Sequence, residues 1–239
     1  MSAERFFIEH PPDGPAATLG GAEAHHLRHV RRVTVDDEVV LFDGSGTDYV
    51  ARVEAFDRAG VALQILRAEP SGREPDIAVT LAVALVKPQA IARLIDMGTQ
   101  LGMRRLIPVQ TERSAGRPGP GRPGRWRRIA IEACKQCGRS VIPEIVPLVD
   151  LDAVLRQADD HDVAVIGSMA DDARPLGQVL SPSARSVLCL VGPEGGFTDA
   201  EEAAARGAGY LPVSLSKSIL RTETAAAAAL AQVLGAAPM

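Results

Sequence analysis

From residue 77 onward, apolar runs of strand length alternate with segments that have the period of an amphipathic helix. The strand-like runs are IAVTLAVALVK (77–87), RRLIPVQ (104–110), DVAVIGS (162–168) and SVLCLVG (186–192). The helical segments are QAIARLIDMGTQLG (89–102), which Gly102 is expected to end, and RWRRIAIEACKQCG (125–138). Strands that alternate with helices of this length predict a parallel α/β sheet, because parallel strands need a long crossover connection.

The part of the chain before residue 77 has a different residue pattern. VVLFDGSGTDYVARVEAFDRAGVALQIL (39–66) alternates short β-rich runs with Gly and Asp turn residues, which is typical of a small antiparallel sheet or barrel. EPSGREPD, from Glu69 to Asp76, is polar and rich in Pro and Gly, and is predicted to be a linker. AGRPGPGRPGR (115–125) is predicted to be a flexible loop. We therefore expect two domains, residues 1–72 and residues 73–239.

Export, membrane insertion and metal binding are disfavoured. MSAERFFIEHPPDG carries charges where a signal peptide has an apolar run, and no stretch approaches the roughly 18 apolar residues of a membrane span, so a cytoplasmic protein is expected. Cys134 and Cys137 form a C-x-x-C pair within a predicted helix and have no second pair, which favours packing over a zinc or redox role. His25 and His29 also lack an evident carboxylate or cysteine partner, so no metal is expected.

Charge is distributed unevenly along the chain. The net charge is −4, yet residues 104–139 hold ten Arg and Lys against two Glu, a net of +8. A basic block in an otherwise acidic protein predicts a local phosphate-binding surface. A solvated arginine-rich loop without a binding role is the alternative.

The stretch VGPEGGFTDAEE (191–202) begins where a predicted strand ends. Thr198 and Glu201 form a T-x-x-E capping box, which predicts that the next helix begins there. Loops at the carboxyl ends of strands bind ligands in open α/β sheets, and glycines let a ligand approach the backbone. Neither a phosphate loop nor G-x-G-x-x-G is present, which disfavours a triphosphate or a dinucleotide. A merely structural tight turn is the alternative.

A second unusual stretch, VSLSKSILRTETAAAAALAQVLG (213–235), places Arg221 and Glu223 just before an alanine-rich helix. Alanine favours helix and allows close packing against neighbours. Together, VGPEGGFT and LSKSILRTETA resemble the C-terminal signature of the RsmE-type ribosomal RNA uridine-N3 methyltransferases of the SPOUT superfamily. KPQAIARLIDMGTQLGMRRLIPVQTERS, IEACKQCGRSVIPEI, HLRHVRRV and LFDGSG resemble further segments of this family in the same order, so that the resemblance extends over nearly the whole chain.

This resemblance implies a fold and a set of partners. The fold is an N-terminal PUA-like β-barrel domain that binds RNA, followed by a SPOUT-type α/β methyltransferase domain whose C-terminal segment is threaded into a trefoil knot. The partners are S-adenosylmethionine as cofactor, 16S ribosomal RNA or the small ribosomal subunit as substrate, and a second copy of the chain in a homodimer. The residues expected to bind the cofactor are Met169, Val191, Gly192, Pro193, Gly195, Gly196, Leu215, Ser216, Ser218, Ile219 and Leu220.

Methylation at N3 of uracil requires loss of the N3 proton or stabilisation of the imide anion. We expect Arg221 to stabilise the developing anion, and Glu223 or Glu194 to act as base or to hold Arg221. The family usually has Gly and Arg where this chain has Ser216 and Ser218, so the role of that arginine is not carried over. The residues expected to contact RNA are Arg5, His26, Arg28, Arg31, Arg32, Lys87, Arg113, Arg125, Arg128 and Arg139.

Two rival functions belong to other classes. A SPOUT fold can also methylate a ribose 2′-hydroxyl of another RNA, which would place the methyl group on the sugar. A non-catalytic RNA-binding protein would bind RNA without binding S-adenosylmethionine. A redox protein built on Cys134 and Cys137 is a more distant third alternative.

Overall fold

The computed structural model describes residues 3–58, 60–114 and 122–236. Contacts divide the chain into two units: the first comprises Met1–Glu74 and Ile131–Ile142, and the second comprises Pro75–Ala130 and Pro143–Met239. The expected boundary after residue 72 lies two residues before the first division. The assignment of residues 131–142 to the first unit is not predicted by the sequence.

The first unit is built on a five-stranded sheet. Its elements are β1 (Glu4–Phe7), β2 (Ala16–Leu19), α1 (Gly21–His25), a π-helical turn (His26–Val30), β3 (Glu38–Phe42), β4 (Thr47–Phe56) and β5 (Val61–Pro70). The strand order is β1-β3-β4-β5-β2, so β1 and β2 form the two edges of an open sheet among the described residues. The β1–β3 pair is parallel and the other pairs are antiparallel, so the sheet is mixed rather than purely antiparallel.

Alternation along the strands of the first unit builds its core. Val39 and Leu41 on β3, and Val61 and Leu63 on β5, are two positions apart and pack in one cluster, as the period of a strand requires. Val40 and Phe42 of β3 are also buried, so this strand is covered on both faces. Leu27, in the π-helical turn, is buried in the same cluster. The helical segment therefore covers one face of the sheet.

Part of the predicted linker is held firmly within the first unit. Strand β5 extends to Pro70, and the Glu74 carboxylate accepts hydrogen bonds from the backbone N–H groups of Ser140 (3.2 Å) and Val141 (3.0 Å). It also accepts one from a guanidinium nitrogen of Arg139 at 2.7 Å. A polar, Pro- and Gly-rich composition did not reveal these bonds, because their partners lie more than 60 residues away along the chain.

The second unit contains the remaining elements. One of its helices, Arg122–Cys137, is divided between the two units, because its residues from Ile131 onward belong to the first unit. The elements are β6 (Ala78–Ala84), α2 (Pro88–Leu101), β7 (Arg105–Gln110), α3 (Arg122–Cys137), β8 (Glu144–Ile145), β9 (Val149–Asp150), α4 (Leu151–Leu155), β10 (Val163–Gly167), β11 (Arg174–Pro175), β12 (Ser186–Val191), α5 (Asp199–Gly207), β13 (Leu211–Ser214) and α6 (Thr222–Ala236). Single 3₁₀ turns occur at Ala158–Asp160 and Leu176–Gln178.

These strands form an eight-stranded sheet in the order β11-β13-β10-β12-β6-β7-β8, with β9 also paired to β7. Every strand pair described in this sheet is parallel, which confirms the predicted α/β class. Strands β13, β10 and β12 are neighbours, so their carboxyl ends lie together at one edge of the sheet. This is the edge at which open α/β sheets bind ligands.

The helices largely follow the sequence prediction. Helix α2 buries Ile91, Leu94 and Ile95 and ends at Gly102, whose φ of +105° is the left-handed conformation that glycine adopts most readily. Helix α3 begins at Arg122, within the predicted flexible loop, and residues 115–121 of that loop lie outside the described residues. Along the described chain, no helix has the length and apolar character needed to cross a membrane.

Candidate active site

The stretch Gly192–Phe197, here called the GPEGG loop, follows the central strand β12. The backbone N–H of Gly196 donates to the carbonyl oxygen of Pro193 at 2.8 Å and closes a tight turn. Gly196 has a φ of +69°, in the left-handed region that costs an L-residue roughly 1–2 kcal/mol. The backbone conformation therefore favours a glycine at this position.

The helix after the GPEGG loop begins as the sequence predicts. Thr198 is the N-cap of α5: its hydroxyl accepts from the N–H of Glu201 at 3.2 Å, and the Glu201 carboxylate accepts from the N–H of Thr198 at 2.9 Å. This reciprocal pair confirms the predicted capping box. It fixes the point at which the chain leaves the loop.

The stretch Leu215–Leu220, here called the C-terminal loop, follows β13 and precedes α6. The side-chain amide of Gln232 donates to the carbonyl oxygen of Leu215 at 2.9 Å, and the N–H of Ser218 donates to the Ser216 hydroxyl at 3.0 Å. The Thr222 hydroxyl, at the start of α6, donates to the carbonyl oxygen of Gly192 at 3.0 Å. This last bond connects the chain that follows the C-terminal loop with the first residue of the GPEGG loop.

The two loops and the carboxyl end of β10 surround a cavity of about 500 Å³. All eleven residues expected to bind a cofactor line it, although they come from three separate parts of the chain. The parallel order β13-β10-β12 brings them together, because it places the ends of the three strands side by side. Their role in binding a cofactor stays a prediction.

Among the described residues, the charged side chains that line the cavity are the carboxylates of Glu194, Asp199 and Glu202. Glu202 accepts from the Ser168 hydroxyl at 2.6 Å and from Arg206 at 3.0 Å. Arg206 also forms an ion pair with Asp172, at 2.7 Å, and lies outside the cavity lining. A lining with this charge favours a cationic ligand over an anionic one.

The sequence prediction missed several lining residues. Ser168 and Glu202 are polar members of this group, and Phe197 and Ala225 are apolar ones. Ser168 could have been found, since it is the last residue of the predicted strand 162–168 and directly follows β10 at the ligand-binding edge. The T-x-x-E spacing assigned Glu201 to the capping box, but it did not indicate that Glu202 lines the cavity, because that depends on the fold.

The three residues expected to act in catalysis have different environments. Glu194 is exposed and lines the cavity. Arg221 is exposed and lies between two cavity-lining residues, Leu220 and Thr222, whereas Glu223 is only 8% exposed in the first turn of α6. In the described part of the chain, no ion pair within 4 Å joins Arg221 to either glutamate.

The residues of the first unit that were expected to contact RNA form two groups. Arg28, Arg31 and Arg32 are exposed in or next to the π-helical turn, with His26 half-buried beside them. The Arg28 guanidinium lies over the Phe56 ring at 5.2 Å, and Arg31 donates to the His26 imidazole at 3.3 Å. These four residues come together on one helical segment.

The second group in the first unit consists of Arg5, which is half-buried, and Arg139, which is buried. Arg5 donates to both carboxylate oxygens of Asp48, at 2.8 and 3.1 Å, and to Ser140. The Arg139 side chain is 4% exposed and forms an ion pair with Glu74 at 2.7 Å. The structure thus places both guanidinium groups in internal pairs, and their expected contact with RNA stays untested.

In the second unit, Lys87, Arg125 and Arg128 are exposed, at the start of α2 and along α3. Arg113 is also exposed, but one of its guanidinium nitrogens donates to the carbonyl oxygens of Gly195 and Phe197, at 2.7 and 3.2 Å. It therefore contacts the GPEGG loop directly, which the sequence did not predict.

The cysteines occupy packing positions. Cys134 and Cys189 are buried, and burial raises the pKa of each thiol to about 12. The Cys134 thiol lies 3.5 Å from the carbonyl oxygen of Val141, and Cys137 is a free thiol near the end of α3. Over residues 3–58, 60–114 and 122–236, no group of three or more His, Cys, Asp or Glu residues could hold a metal ion.

The fold agrees with comparisons to known proteins. The profile of the RNA methyltransferase domain family matches residues 73–234, and that of the RNA methyltransferase PUA domain matches residues 19–66. An α/β RNA methyltransferase with a PUA-like domain is therefore the class that the structure defines. The prediction of a SPOUT-type α/β fold with a PUA-like N-terminal domain is confirmed, and the knotted threading of the C-terminal segment stays a prediction.

Individual relatives narrow this class. Ribosomal RNA small subunit methyltransferase E from Synechocystis sp. is 35% identical over 90% of this chain and 72% of its own length, and the Mycobacterium bovis protein of that name is 30% identical over 98% and 92%. A crystal structure of ribosomal RNA small subunit methyltransferase E from Neisseria gonorrhoeae, bound to S-adenosyl methionine, superimposes with a TM-score of 0.90 at 30% identity, covering 99% of this chain and 98% of that one. The chain belongs to the ribosomal RNA small subunit methyltransferase E family.

Proposed function

We propose that this protein transfers a methyl group from S-adenosylmethionine to N3 of a uridine in 16S ribosomal RNA. The observation that carries the proposal is the cavity at the carboxyl ends of β10, β12 and β13, which the GPEGG loop and the C-terminal loop enclose. A relative of the same fold over nearly its whole length binds S-adenosyl methionine. The position of the methyl group on uridine N3 follows from the sequence resemblance.

The cavity suits this cofactor in size and chemistry. Its volume of about 500 Å³ lies within the roughly 300–1,000 Å³ that is usual for small-molecule sites. Met169, Ile219 and Leu220 supply apolar walls for adenine, and the GPEGG loop supplies backbone groups that a ligand can approach closely. The three carboxylates suit a sulfonium cation, and a cofactor without phosphates needs no phosphate-loop lysine.

The residues around the cavity account for the proton and the charge of the reaction. When bound, S-adenosylmethionine supplies an electrophilic methyl group, and uracil must lose its N3 proton as that nitrogen is methylated. Glu194 is exposed and lines the cavity, so we assign it as the proton acceptor. Arg221 is exposed next to the lining and donates to O2 or O4, where negative charge develops. Glu223 is buried in the first turn of α6, where a carboxylate is favourable to the helix dipole.

Exposed cations in each unit, taken separately, are the proposed RNA contacts. In the first unit these are Arg28, Arg31 and Arg32, and in the second unit they are Arg125 and Arg128, with Lys87 as a further cation. Each cation that neutralises a phosphate makes binding depend more steeply on salt. Arg5 and Arg139 are left out of these contacts because each guanidinium group is already paired with a carboxylate and its side chain is at most 11% exposed.

A homodimer and a cytoplasmic location complete the proposal. Met169 and Ile219 are 65% and 84% exposed, and such apolar side chains at a cavity edge are suited to cover by a second copy of the chain. Sedimentation of the full chain at micromolar concentration measures its oligomeric state, and a monomer with full activity contradicts the dimer. A chain that modifies ribosomal RNA is expected where ribosomes are assembled.

The function is tested with the full chain and small subunits purified from a strain that lacks it. We expect calorimetric binding of S-adenosylmethionine, followed by one methyl group per 16S RNA. Nuclease digestion and mass spectrometry should then find N3-methyluridine. A methyl group on ribose supports the 2′-O alternative, and RNA binding without cofactor binding supports the non-catalytic alternative. Either result contradicts the proposed function.

A further inference from the structure

Arg113 contacts the GPEGG loop through one end of its guanidinium group. Its Nη1 donates to the carbonyl oxygens of Gly195 and Phe197, at 2.7 and 3.2 Å. These two carbonyls lie on either side of Gly196, the residue in the left-handed conformation. The same nitrogen therefore bridges the part of the GPEGG loop that has the greatest conformational freedom.

The backbone that carries Arg113 is itself well fixed. The N–H of Ser114 donates to the carbonyl oxygen of Thr111 at 3.2 Å, and the N–H of Thr111 donates to the Ser114 hydroxyl at 2.9 Å. The two hydroxyls of these residues also lie 2.9 Å apart. Arg113 thus projects from a closed turn directly after β7, and only its side chain needs to be ordered for the contact to form.

A second contact joins this turn to the chain after the GPEGG loop. The N–H of Glu112 donates to Oε1 of Glu201 at 2.8 Å, while Oε2 of the same carboxylate accepts from Thr198 within the capping box. Arg113 therefore binds two carbonyl oxygens of the GPEGG loop. Glu112, its neighbour in the same turn, binds Glu201 in the first turn of the helix that follows the loop. The loop is connected to β7 as well as to the strand that precedes it.

We propose that Arg113 is a positioning residue for the cofactor site and holds the GPEGG loop in its ligand-binding conformation, instead of contacting RNA. A glycine-rich loop that is already ordered loses less conformational entropy when a ligand binds, so its affinity is higher. The nature of the ligand rests on the proposed function above. The ordering of the loop by Arg113 does not.

The first test measures loop order in the free protein. Amide hydrogen exchange is followed at Gly196 and Thr198 in the wild type, in Arg113→Gln and in Arg156→Gln, a matched loss of an exposed arginine that is not in the cavity lining. We expect exchange at Gly196 to be roughly 10-fold faster in Arg113→Gln, since the two bonds from a charged donor are lost. Arg156→Gln should exchange like the wild type. Equal exchange rates in all three proteins overturn the proposal.

The second test separates cofactor binding from RNA binding. In Arg113→Gln, the dissociation constant for S-adenosylmethionine measured without RNA should rise roughly 10-fold, while the slope of log RNA affinity against log salt stays that of the wild type. Arg113→Lys should recover part of the loss, because it keeps the charge without the planar group of donors. An unchanged cofactor constant with a slope reduced by roughly 0.7 to 0.9 makes Arg113 an RNA ligand and overturns the proposal.

These tests also separate this inference from the proposed function. If the wild type itself does not bind S-adenosylmethionine, the proposed function is wrong. The exchange rates of the unliganded proteins still decide whether Arg113 orders the GPEGG loop. Unchanged melting temperatures of the exposed-site variants show that any loss is local.

Discussion

The two units of the molecule use charged side chains in opposite ways. In the first unit, Arg5, Lys135 and Arg139 have side chains no more than 11% exposed, and each is paired with a carboxylate. In the second unit, the core of the sheet is apolar and charged groups gather at the edge of the cavity. A basic stretch of sequence therefore does not identify an RNA surface, since Arg139 belongs to the +8 block yet is buried.

The largest expected effect is in the first unit. Arg139→Ala removes the buried member of an ion pair and leaves the Glu74 carboxylate, whose side chain is 26% exposed, without that cation, so the cost is at the lower end of the roughly 3–5 kcal/mol of a fully buried pair. We expect this loss in the free energy of unfolding, measured by urea denaturation of the full chain. Arg67→Ala is the matched control, because its pair with Glu69 is about half exposed at both ends and contributes about 0–1 kcal/mol.

The comparison of the units would fail if Arg139 behaved as a surface residue. A loss below about 1 kcal/mol, together with a shallower salt dependence of RNA binding, would return Arg139 to the RNA-contacting group. The contrast between a first unit whose cations are paired inside it and a second unit whose charged groups lie at the edge of the cavity would then not hold.

The next effect is on catalysis in the second unit. Arg221→Ala should lower the single-turnover methylation rate by roughly 100-fold or more, on the scale of removing one preorganised donor, with little change in affinity for RNA or cofactor. The rate of the variant should keep rising with pH beyond the point where the wild type levels off, because the uracil N3 stays a weaker acid. Lysine should restore only part of the rate.

Arg221 has a structural alternative that the same kinetics detect. If Arg221→Ala reaches the wild-type rate at saturating RNA, or if it is defective only in cofactor affinity, then Arg221 has a structural role in holding the C-terminal loop. The developing anion would then be stabilised by another group.

The two central glycines of the GPEGG loop should differ in effect, although the sequence treats them alike. Gly196→Val forces a side chain into the left-handed region, and should weaken S-adenosylmethionine binding roughly 10-fold through backbone strain of about 1–2 kcal/mol. Apart from its two chain neighbours, none of the described residues has an atom within 4 Å of a Cβ placed at Gly196, so steric conflict is not the expected cause. Gly195→Ala is the control, because its Cβ would make only an ordinary contact, at 3.4 Å, with Arg113.

Calorimetric titration of both glycine variants gives the result directly. Gly196→Asn should retain most of the affinity, since asparagine tolerates the left-handed conformation. If Gly196→Val binds as tightly as the wild type, the turn can adopt another backbone conformation and the loop is less rigid than the structure indicates.

The smallest effect concerns acid stability of the first unit. Burial opposes ionisation of Asp48, but hydrogen bonds from Arg5 and Ser140 and the charge of Arg5 outweigh it, so that its pKa lies below the ordinary value. A lowered pKa in the folded state gives stability that is complete above about pH 3.9 and is lost as the pH falls through the folded pKa.

We therefore expect the free energy of unfolding to fall less steeply below about pH 4 in Asp48→Asn than in the wild type. Equal slopes in the two proteins would mean that the Arg5–Asp48 pair does not contribute to acid stability. Chemical denaturation at a series of pH values between about 5 and 3 measures both slopes.

Local signals predicted much of the second unit. The apolar runs at 162–168 and 186–192 became β10 and β12, and Thr198 with Glu201 formed the expected capping box. Such features depend on residues a few positions apart, so they can be predicted from a single amino-acid sequence. Arg139 pairs with Glu74 across 65 positions of the chain, and Arg5 pairs with Asp48 across 43 positions. No local pattern in the sequence indicated either pair.

By itself, the sequence determined the alternation of strands and helices, the glycine-rich turn after β12 and the family to which the chain belongs. These follow from period, turn chemistry and motif order, all of which are local or additive along the chain. The tertiary structure alone decided which charges face a partner inside the molecule, which carboxylate turns toward the cavity and that Arg113 reaches the GPEGG loop. Each of these depends on strand order and long-range packing, since the same arginine is a surface cation or a buried ion-pair partner according to what the fold places beside it.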